Sequence, residues 1–111
     1  MKKLSLVSLL ALLLVGSAFA ETWKNVSVVD NNCAQKVKAD PDSHTRACAL
    51  KCSKAGFGIV TPDGQFLKLD AAGNAKVVSA LRQSDKKDHL RVTVTGEKQG
   101  DVIKTSAVQL D

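Results

Sequence analysis

The chain has 111 residues, of which 44% are hydrophobic, 24% charged and 4% aromatic, and its formal net charge is +5. This composition is ordinary for one small globular domain, and it excludes a disordered, collagen-like or coiled-coil chain. The length also excludes a large multi-domain enzyme.

The first 20 residues have the pattern of a secretory signal peptide. Lys2 and Lys3 precede an apolar run, and Ala18 and Ala20 stand where signal peptidase requires small residues. We expect cleavage after Ala20, which leaves a single domain over residues 21–111 with a net charge of +3 once both lysines are removed. The apolar run is shorter than the roughly 20 residues of a transmembrane helix. The chain is therefore predicted to be a bacterial Sec substrate, periplasmic or secreted, with no membrane span after cleavage.

The mature chain begins with a predicted strand and a predicted helix. Residues 23–30 are rich in valine and predict the strand. Asp40 is a good helix cap, Pro41 suits the first helical position, and Gly56 is a typical stop, so we expect a helix over residues 40–55.

A β-hairpin and a second helix come next. Residues 57–61 and 65–69 predict two strands joined by a tight turn at residues 62–64. Residues 70–74 predict a loop that ends in a helix cap, and residues 75–83 predict a short helix with one apolar side.

Two strands complete the chain. Apolar and polar residues alternate over residues 89–95, which is typical of a half-buried strand. Residues 97–100 predict a turn and residues 102–110 the last strand. The alternation slips between Ile103 and Val108, which indicates a β-bulge.

The order of elements predicts a mainly β domain with two helices, a small five-stranded barrel of the OB type. The first helix is then an insertion between strands one and two, and it carries two of the cysteines. Such a small domain has a modest core, so a disulfide would stabilise it appreciably. The predicted core residues are Trp23, Val28, Ile59, Leu67, Leu69, Val92, Val94 and Val108.

Three cysteines and one histidine fall in or near this insertion. His44, Cys48 and Cys52 are spaced four apart, so on a regular helix they would share one face, with Cys33 on the preceding loop. Helical i and i+4 Cβ atoms are about 5–6 Å apart, whereas a disulfide needs about 3.5–4.5 Å. Any disulfide should therefore join Cys33 to Cys48 or to Cys52, and the odd count leaves one thiol over.

Three hypotheses remain open for these residues. The first is a Cys₃His site for a soft metal ion, Zn or Cu, formed by Cys33, His44, Cys48 and Cys52. The second is a disulfide-stapled structural or interaction module that contacts another protein of the bacterial envelope. The third is a redox-sensing thiol, which the neighbouring Lys51 would activate.

Other function classes have little support in the sequence. The mild charge and the few aromatic residues disfavour nucleic-acid binding. The sequence has no G-x-S-x-G, C-x-x-C or C-x-x-C-H pattern, and no group of residues that would supply a nucleophile, a base and oxyanion donors together. We therefore expect a binding or structural protein rather than an enzyme.

The order of the motifs resembles a group of small exported bacterial domains that are largely uncharacterised. The resemblance spans residues 26–110 and implies an OB-like barrel with a cysteine helix, but no known reaction. The motifs that carry it are Val29-Asp30-x-x-Cys33, His44-x3-Cys48-x3-Cys52, Gly58-Ile59-Val60-Thr61, Asp63-Gly64, Leu90-x-Val92-x-Val94-x-Gly96 and Asp101-x-Ile103.

Overall fold

The computed structural model describes residues 20–111. Apart from Ala20, the predicted signal peptide lies outside the described residues. In the described part of the chain, no helix is both long enough and apolar enough to cross a membrane.

Five strands form a closed barrel in this part of the chain, in the order β1-β2-β3-β5-β4. Only the contact between β3 and β5 is parallel. The five-stranded OB-like barrel predicted from the sequence is therefore confirmed. The strands are β1 Glu21–Asp30, β2 Phe57–Val60, β3 Phe66–Leu69, β4 Arg91–Gln99 and β5 Val102–Leu110.

Helical segments lie between the strands. The segment between β1 and β2, residues 31–56, is called the insertion below, and α3 connects β3 to β4. The α-helices are α1 Ala34–Val37, α2 Arg46–Lys51 and α3 Ala71–Gln83, and 3-10 helices cover Pro41–Ser43 and Ser53–Ala55.

The barrel interior is filled by the strand residues that the alternation predicted. Six of the eight predicted core residues are buried, and Trp23 and Val108 are partly buried against them. A second, smaller apolar cluster lies outside the barrel, where Val29 and Val60 pack against Ala34 of α1. Val28 and Val29 are therefore both buried, one in each cluster, and the end of β1 is enclosed from two sides.

The predicted bulge in the last strand is present. Thr95 pairs with Ala107, but Gly96 pairs with Thr105, which leaves Ser106 as the extra residue on β5. The slip in alternation between Ile103 and Val108 thus has its physical cause in this bulge.

The predicted helix over residues 40–55 is wrong. The segment is broken into a 3-10 turn, the short helix α2 and a second 3-10 turn. The break occurs because Thr45 caps α2: its side chain accepts a hydrogen bond from the Cys48 N–H at 3.2 Å. His44 consequently has an extended backbone, with φ −69° and ψ 128°, and does not belong to the helix.

Two further boundaries differ from prediction. Helix α3 begins at Ala71 rather than at residue 75, because the Asp70 carboxylate accepts the Gly73 N–H at 3.0 Å and caps the helix there. Strand β4 runs on to Gln99, so the turn predicted over residues 97–100 occurs only at its end.

Candidate metal centre

Strand β1 ends in a turn that places Cys33 beside Asp30. The Asp30 side chain is fully buried, and its Oδ2 accepts the backbone N–H of Cys33 at 3.1 Å. The same N–H is 3.2 Å from the Asp30 carbonyl oxygen. The Asp-x-x-Cys spacing is the spacing at which an aspartate side chain stabilises a turn through a nearby backbone N–H.

Cys52 reaches the same place because the two ends of the insertion are fastened together. The Asn31 side chain donates a hydrogen bond to the Ala55 carbonyl oxygen at 2.7 Å. The backbone N–H of Asn31 donates a second hydrogen bond to the Gly56 carbonyl oxygen at 2.9 Å. Gly56 has φ 83°, which lets the chain turn into β2 without the steric penalty of a side chain. Cys33 lies near the start of the insertion and Cys52 near its end, so these hydrogen bonds bring the two cysteines close together.

Three side chains of the kinds that bind metal ions therefore meet where the two ends of the insertion come together. A carboxylate oxygen of Asp30 and the sulfur atoms of Cys33 and Cys52 all lie within 4.8 Å of one another. Two thiolates bound to one tetrahedral Zn²⁺ would be roughly 3.8 Å apart, given a Zn–S bond of about 2.3 Å. Small shifts of these side chains would thus bring all three atoms onto one ion. We call these three residues the Asp30 group.

His44 lies next to this group and contacts its carboxylate. Its Nε2 is 2.6 Å from Asp30 Oδ1, and His44 is only 5% exposed. Neither atom has another hydrogen-bond partner among residues 20–111, so the imidazole and the carboxylate are left to each other. An imidazole in this position orients a carboxylate, as the outer partners of metal ligands commonly do.

Cys48 lies apart from the group. Cys48 is exposed, and its sulfur does not belong to the set of donor atoms that lie within 4.8 Å of one another. It is one helical turn before Cys52, whose N–H donates to the Cys48 carbonyl oxygen at 3.1 Å. Ala49 is the fully buried residue of α2, so the neighbouring Cys48 faces away from the barrel.

The candidate residues predicted from the sequence are thus only partly brought together. Cys33 and Cys52 converge, His44 approaches through Asp30, and Cys48 is left outside. The single helical face predicted for His44, Cys48 and Cys52 is wrong, because α2 begins only at Arg46. Sequence reasoning missed Asp30 as a donor, although an acidic residue at the end of an apolar strand was the available signal.

The electrostatics of the group oppose an unligated thiolate. Burial raises the pKa of the Cys33 thiol, and the Asp30 carboxylate raises it further by charge and by accepting its hydrogen bond, while Lys36 acts weakly in the opposite direction. Without a cation the Cys33 sulfur therefore keeps its proton at neutral pH. A divalent ion bound here would reverse this, because it would attract both the thiolate and the carboxylate.

A charged contact holds the segment before His44 against the barrel. Arg91 of β4 donates to both carboxylate oxygens of Asp42, at 3.1 and 2.8 Å, and the Ser27 hydroxyl donates to Asp42 at 3.2 Å. The hydrogen bond from Arg91 is the main reason that the pKa of Asp42 is lowered. This contact fixes the course of the chain two residues before His44.

Comparisons of the chain with protein-family models, with curated proteins and with solved structures give no match. Function is therefore inferred from the Asp30 group and its surroundings.

Proposed function

We propose that this chain is an exported, non-catalytic barrel protein that binds a soft metal ion, Zn²⁺ or Cu⁺, through Cys33 and Cys52. The observation that carries the proposal is the convergence of two sulfur atoms and one buried carboxylate oxygen within 4.8 Å. Asp30 is the third ligand, and His44 supports it through the 2.6 Å contact. Compared with the Cys₃His set expected from the sequence, Asp30 is added as a ligand, Cys48 is left out, and His44 supports Asp30 instead of binding the ion.

The kinds of donor atom favour zinc over copper. Zn²⁺ accepts thiolate, imidazole and carboxylate ligands together, whereas Cu⁺ prefers soft sulfur donors. Two thiolates and one carboxylate carry three negative charges, and a divalent ion would offset most of their repulsion, which adds to burial in raising the pKa of Cys33. Three protein ligands also leave a fourth position, which water or another donor would occupy.

Export and a bacterial envelope location are part of the proposal. Their support is the signal-peptide pattern before Glu21 and the resemblance to small exported bacterial domains. A binding role is favoured over catalysis because the sequence offers no combined nucleophile, base and oxyanion donors.

Zinc titration of the reduced protein tests this function. A chromophoric chelator of known affinity competes with the protein for Zn²⁺, and Cu⁺ is titrated in parallel. We expect one ion per chain, and we expect Cys33→Ser and Cys52→Ser to lower the affinity by at least about 10–100-fold. His44→Ala should lower it by about tenfold or more. The same substitution removes the partner of the buried Asp30 Oδ1, so the metal-free variant should also be less stable than the wild type.

Cys48→Ser is the matched control, since it removes a thiol from the same insertion but not from the Asp30 group. It should leave the affinity unchanged. A wild-type protein that binds neither ion, or a Cys48→Ser variant that is as weak as Cys33→Ser, would contradict the proposed site.

A disulfide-stapled structural module is the second candidate, and the same convergence favours it. Of the two disulfides left open by the sequence, the geometry supports Cys33 with Cys52, because Cys48 lies outside the group. Such a bond closes a loop of about 20 residues, for which roughly 3 kcal/mol of stabilisation is expected. The protein would then serve as an interaction module for another envelope protein. Zinc titration after full reduction separates the candidates, because a purely structural module binds no ion even with three free thiols, whereas the metal site binds one.

A further inference from the structure

The Cys33 and Cys52 sulfurs are suited to two different bonds. They are already within 4.8 Å, and a disulfide requires them to approach to about 2.0 Å. Cys33 precedes the four-residue helix α1, and Cys52 follows the six-residue helix α2, so a small adjustment at two short helix ends would close the gap. Both cysteines are partly exposed, so a dissolved reactant can reach them.

The two bonds exclude each other. A metal ion binds thiolates, and a sulfur in a disulfide has no thiolate charge to offer. Oxidation would leave only Asp30 and His44 as donors, which are too few to hold zinc in a closed protein site.

The fold tolerates the loss of the ion because Asp30 already has a partner. Its Oδ1 faces His44 Nε2 at 2.6 Å, and its Oδ2 accepts the Cys33 N–H at 3.1 Å. When the ion leaves, the buried carboxylate therefore still has hydrogen-bond partners. A buried carboxylate without partners would destabilise the fold.

We propose that the metal centre is redox-gated: it holds its ion while Cys33 and Cys52 are reduced, and it releases the ion when they form a disulfide. This inference rests on the proposed metal binding and adds the control of that same site. The oxidant is a thiol-derived disulfide, either a small molecule or an exposed disulfide of another protein.

The exchange is balanced in atoms and electrons. One protein thiolate attacks a sulfur of the oxidant RSSR, forms a mixed disulfide and releases RS⁻. The second thiolate attacks the protein sulfur of that mixed disulfide and releases the other RS⁻. The two thiolates have lost two electrons to the oxidant, both RS⁻ groups take up protons from water, and the metal ion leaves to solvent.

Cys48 lies outside the set of donor atoms that converge within 4.8 Å, so it takes no part in closing this disulfide.

Zinc release by glutathione disulfide tests the gating. The protein used is the chain from Glu21 onward, which contains every described strand and helix. It is loaded with zinc, and a chromophoric chelator too weak to strip the reduced site reports release. We expect one zinc per chain to be released while the Cys33 and Cys52 pair loses two hydrogens, and a phosphine reductant should restore binding. Trypsin separates the three cysteines, so a cross-link between peptides 25–36 and 52–54 identifies the disulfide.

Cys48→Ser is the control variant and should release zinc as the wild type does. In the Cys33→Ser variant, the exchange should stop at a mixed disulfide between Cys52 and glutathione. Zinc that binds but stays bound in glutathione disulfide, or leaves without the cross-link between these two peptides, would overturn the gating and leave the proposed function standing. A reduced chain that forms the cross-link but never binds zinc or copper would overturn the proposed function itself.

Discussion

Replacing Asp30 by asparagine changes zinc affinity in a direction that depends on whether the carboxylate is a ligand. The substitution keeps the size of the side chain and an oxygen for the Cys33 N–H, but it removes the negative charge. As a lost ligand it lowers zinc affinity by at least about 10–100-fold, or roughly 1.4–2.8 kcal/mol.

The opposite effect arises if Asp30 is only a neighbour of the cysteines. The carboxylate raises the pKa of Cys33, so removing its charge makes the thiol easier to deprotonate. At a pH below the thiol pKa, zinc must displace a proton to bind. Each unit by which the pKa falls therefore makes zinc binding more favourable by about 1.4 kcal/mol. Zinc affinity would then rise at neutral pH. We expect the ligand effect to dominate, because Asp30 is fully buried and lies in the group that converges within 4.8 Å.

Competition titration with zinc at pH 7 measures the sign directly. Asp40→Asn is the matched control, since it makes the same chemical change at an exposed residue of the same insertion. The metal-free Asp30→Asn protein should lose about 1–3 kcal/mol of stability, as expected for a hydrogen bond to a charged group, and a domain of ordinary stability stays folded after such a loss. An affinity equal to or above that of the wild type would refute Asp30 as a ligand.

Three predictions concern the fold that supports the site. Gly73→Ala should lower the melting temperature, because a Cβ at this position overlaps the Thr105 hydroxyl. The overpacking costs about 1–3 kcal/mol, which outweighs the roughly 1 kcal/mol gained in helix propensity. An unchanged or higher melting temperature would contradict this prediction. Asp42→Asn should cost about 1 kcal/mol at pH 7, a modest value because the Arg91 side chain is 39% exposed. The folded-state pKa of Asp42 is lowered, so its contribution to the free energy of unfolding is present above about pH 4 and is lost as the pH falls below that value. Urea unfolding should therefore show a stability difference between Asp42→Asn and the wild type that shrinks towards about pH 3. A difference that grew instead would refute the ion pair. Asp70→Ala should cost about 1 kcal/mol by removing the cap of α3, which loss of helical circular dichroism at a lower urea concentration would report; an unchanged urea midpoint would show that the cap contributes nothing.

The barrel could be predicted from the sequence because its signals are local. Leu90, Val92 and Val94 alternate with polar residues, and all three are buried in the structure. The bulge at Ser106 was visible for the same reason, since an extra residue shifts the alternation by one position. Strand order then followed from the sequence of elements.

The helix of the insertion could not be predicted because a distant residue overrides its start signal. The sequence around Pro41 has the features of a helix N-terminus, including Asp42 in the first turn. In the structure Arg91, 49 residues away, binds the Asp42 carboxylate, and the chain makes only a 3-10 turn there. Thr45 then supplies the cap at which α2 begins. Local propensity did not contain the contact with Arg91.

The candidate site was half predictable for a related reason. Spacing along a helix groups Cys48 with Cys52, but it does not say which of them faces the end of β1. That choice is made by the buried side of α2, where Ala49 packs against the barrel, and by Asn31, which fastens the far end of the insertion. Asp30 belongs to the barrel rather than to the insertion, so no spacing within the insertion could include it.

This division of the site between barrel and insertion would let one fold accommodate the proposed metal centre both filled and empty. The apolar core of the barrel consists mainly of strand residues and α3, and it includes none of the three cysteines. In small zinc domains whose core depends on the ion, removal of the metal unfolds the chain. Here the ends of the insertion are also held together by the Asn31 hydrogen bonds, and its middle is held to the barrel by the contact between Asp42 and Arg91. The ion or the disulfide would therefore adjust the mouth of the insertion, while the barrel that presents Asp30 keeps its shape.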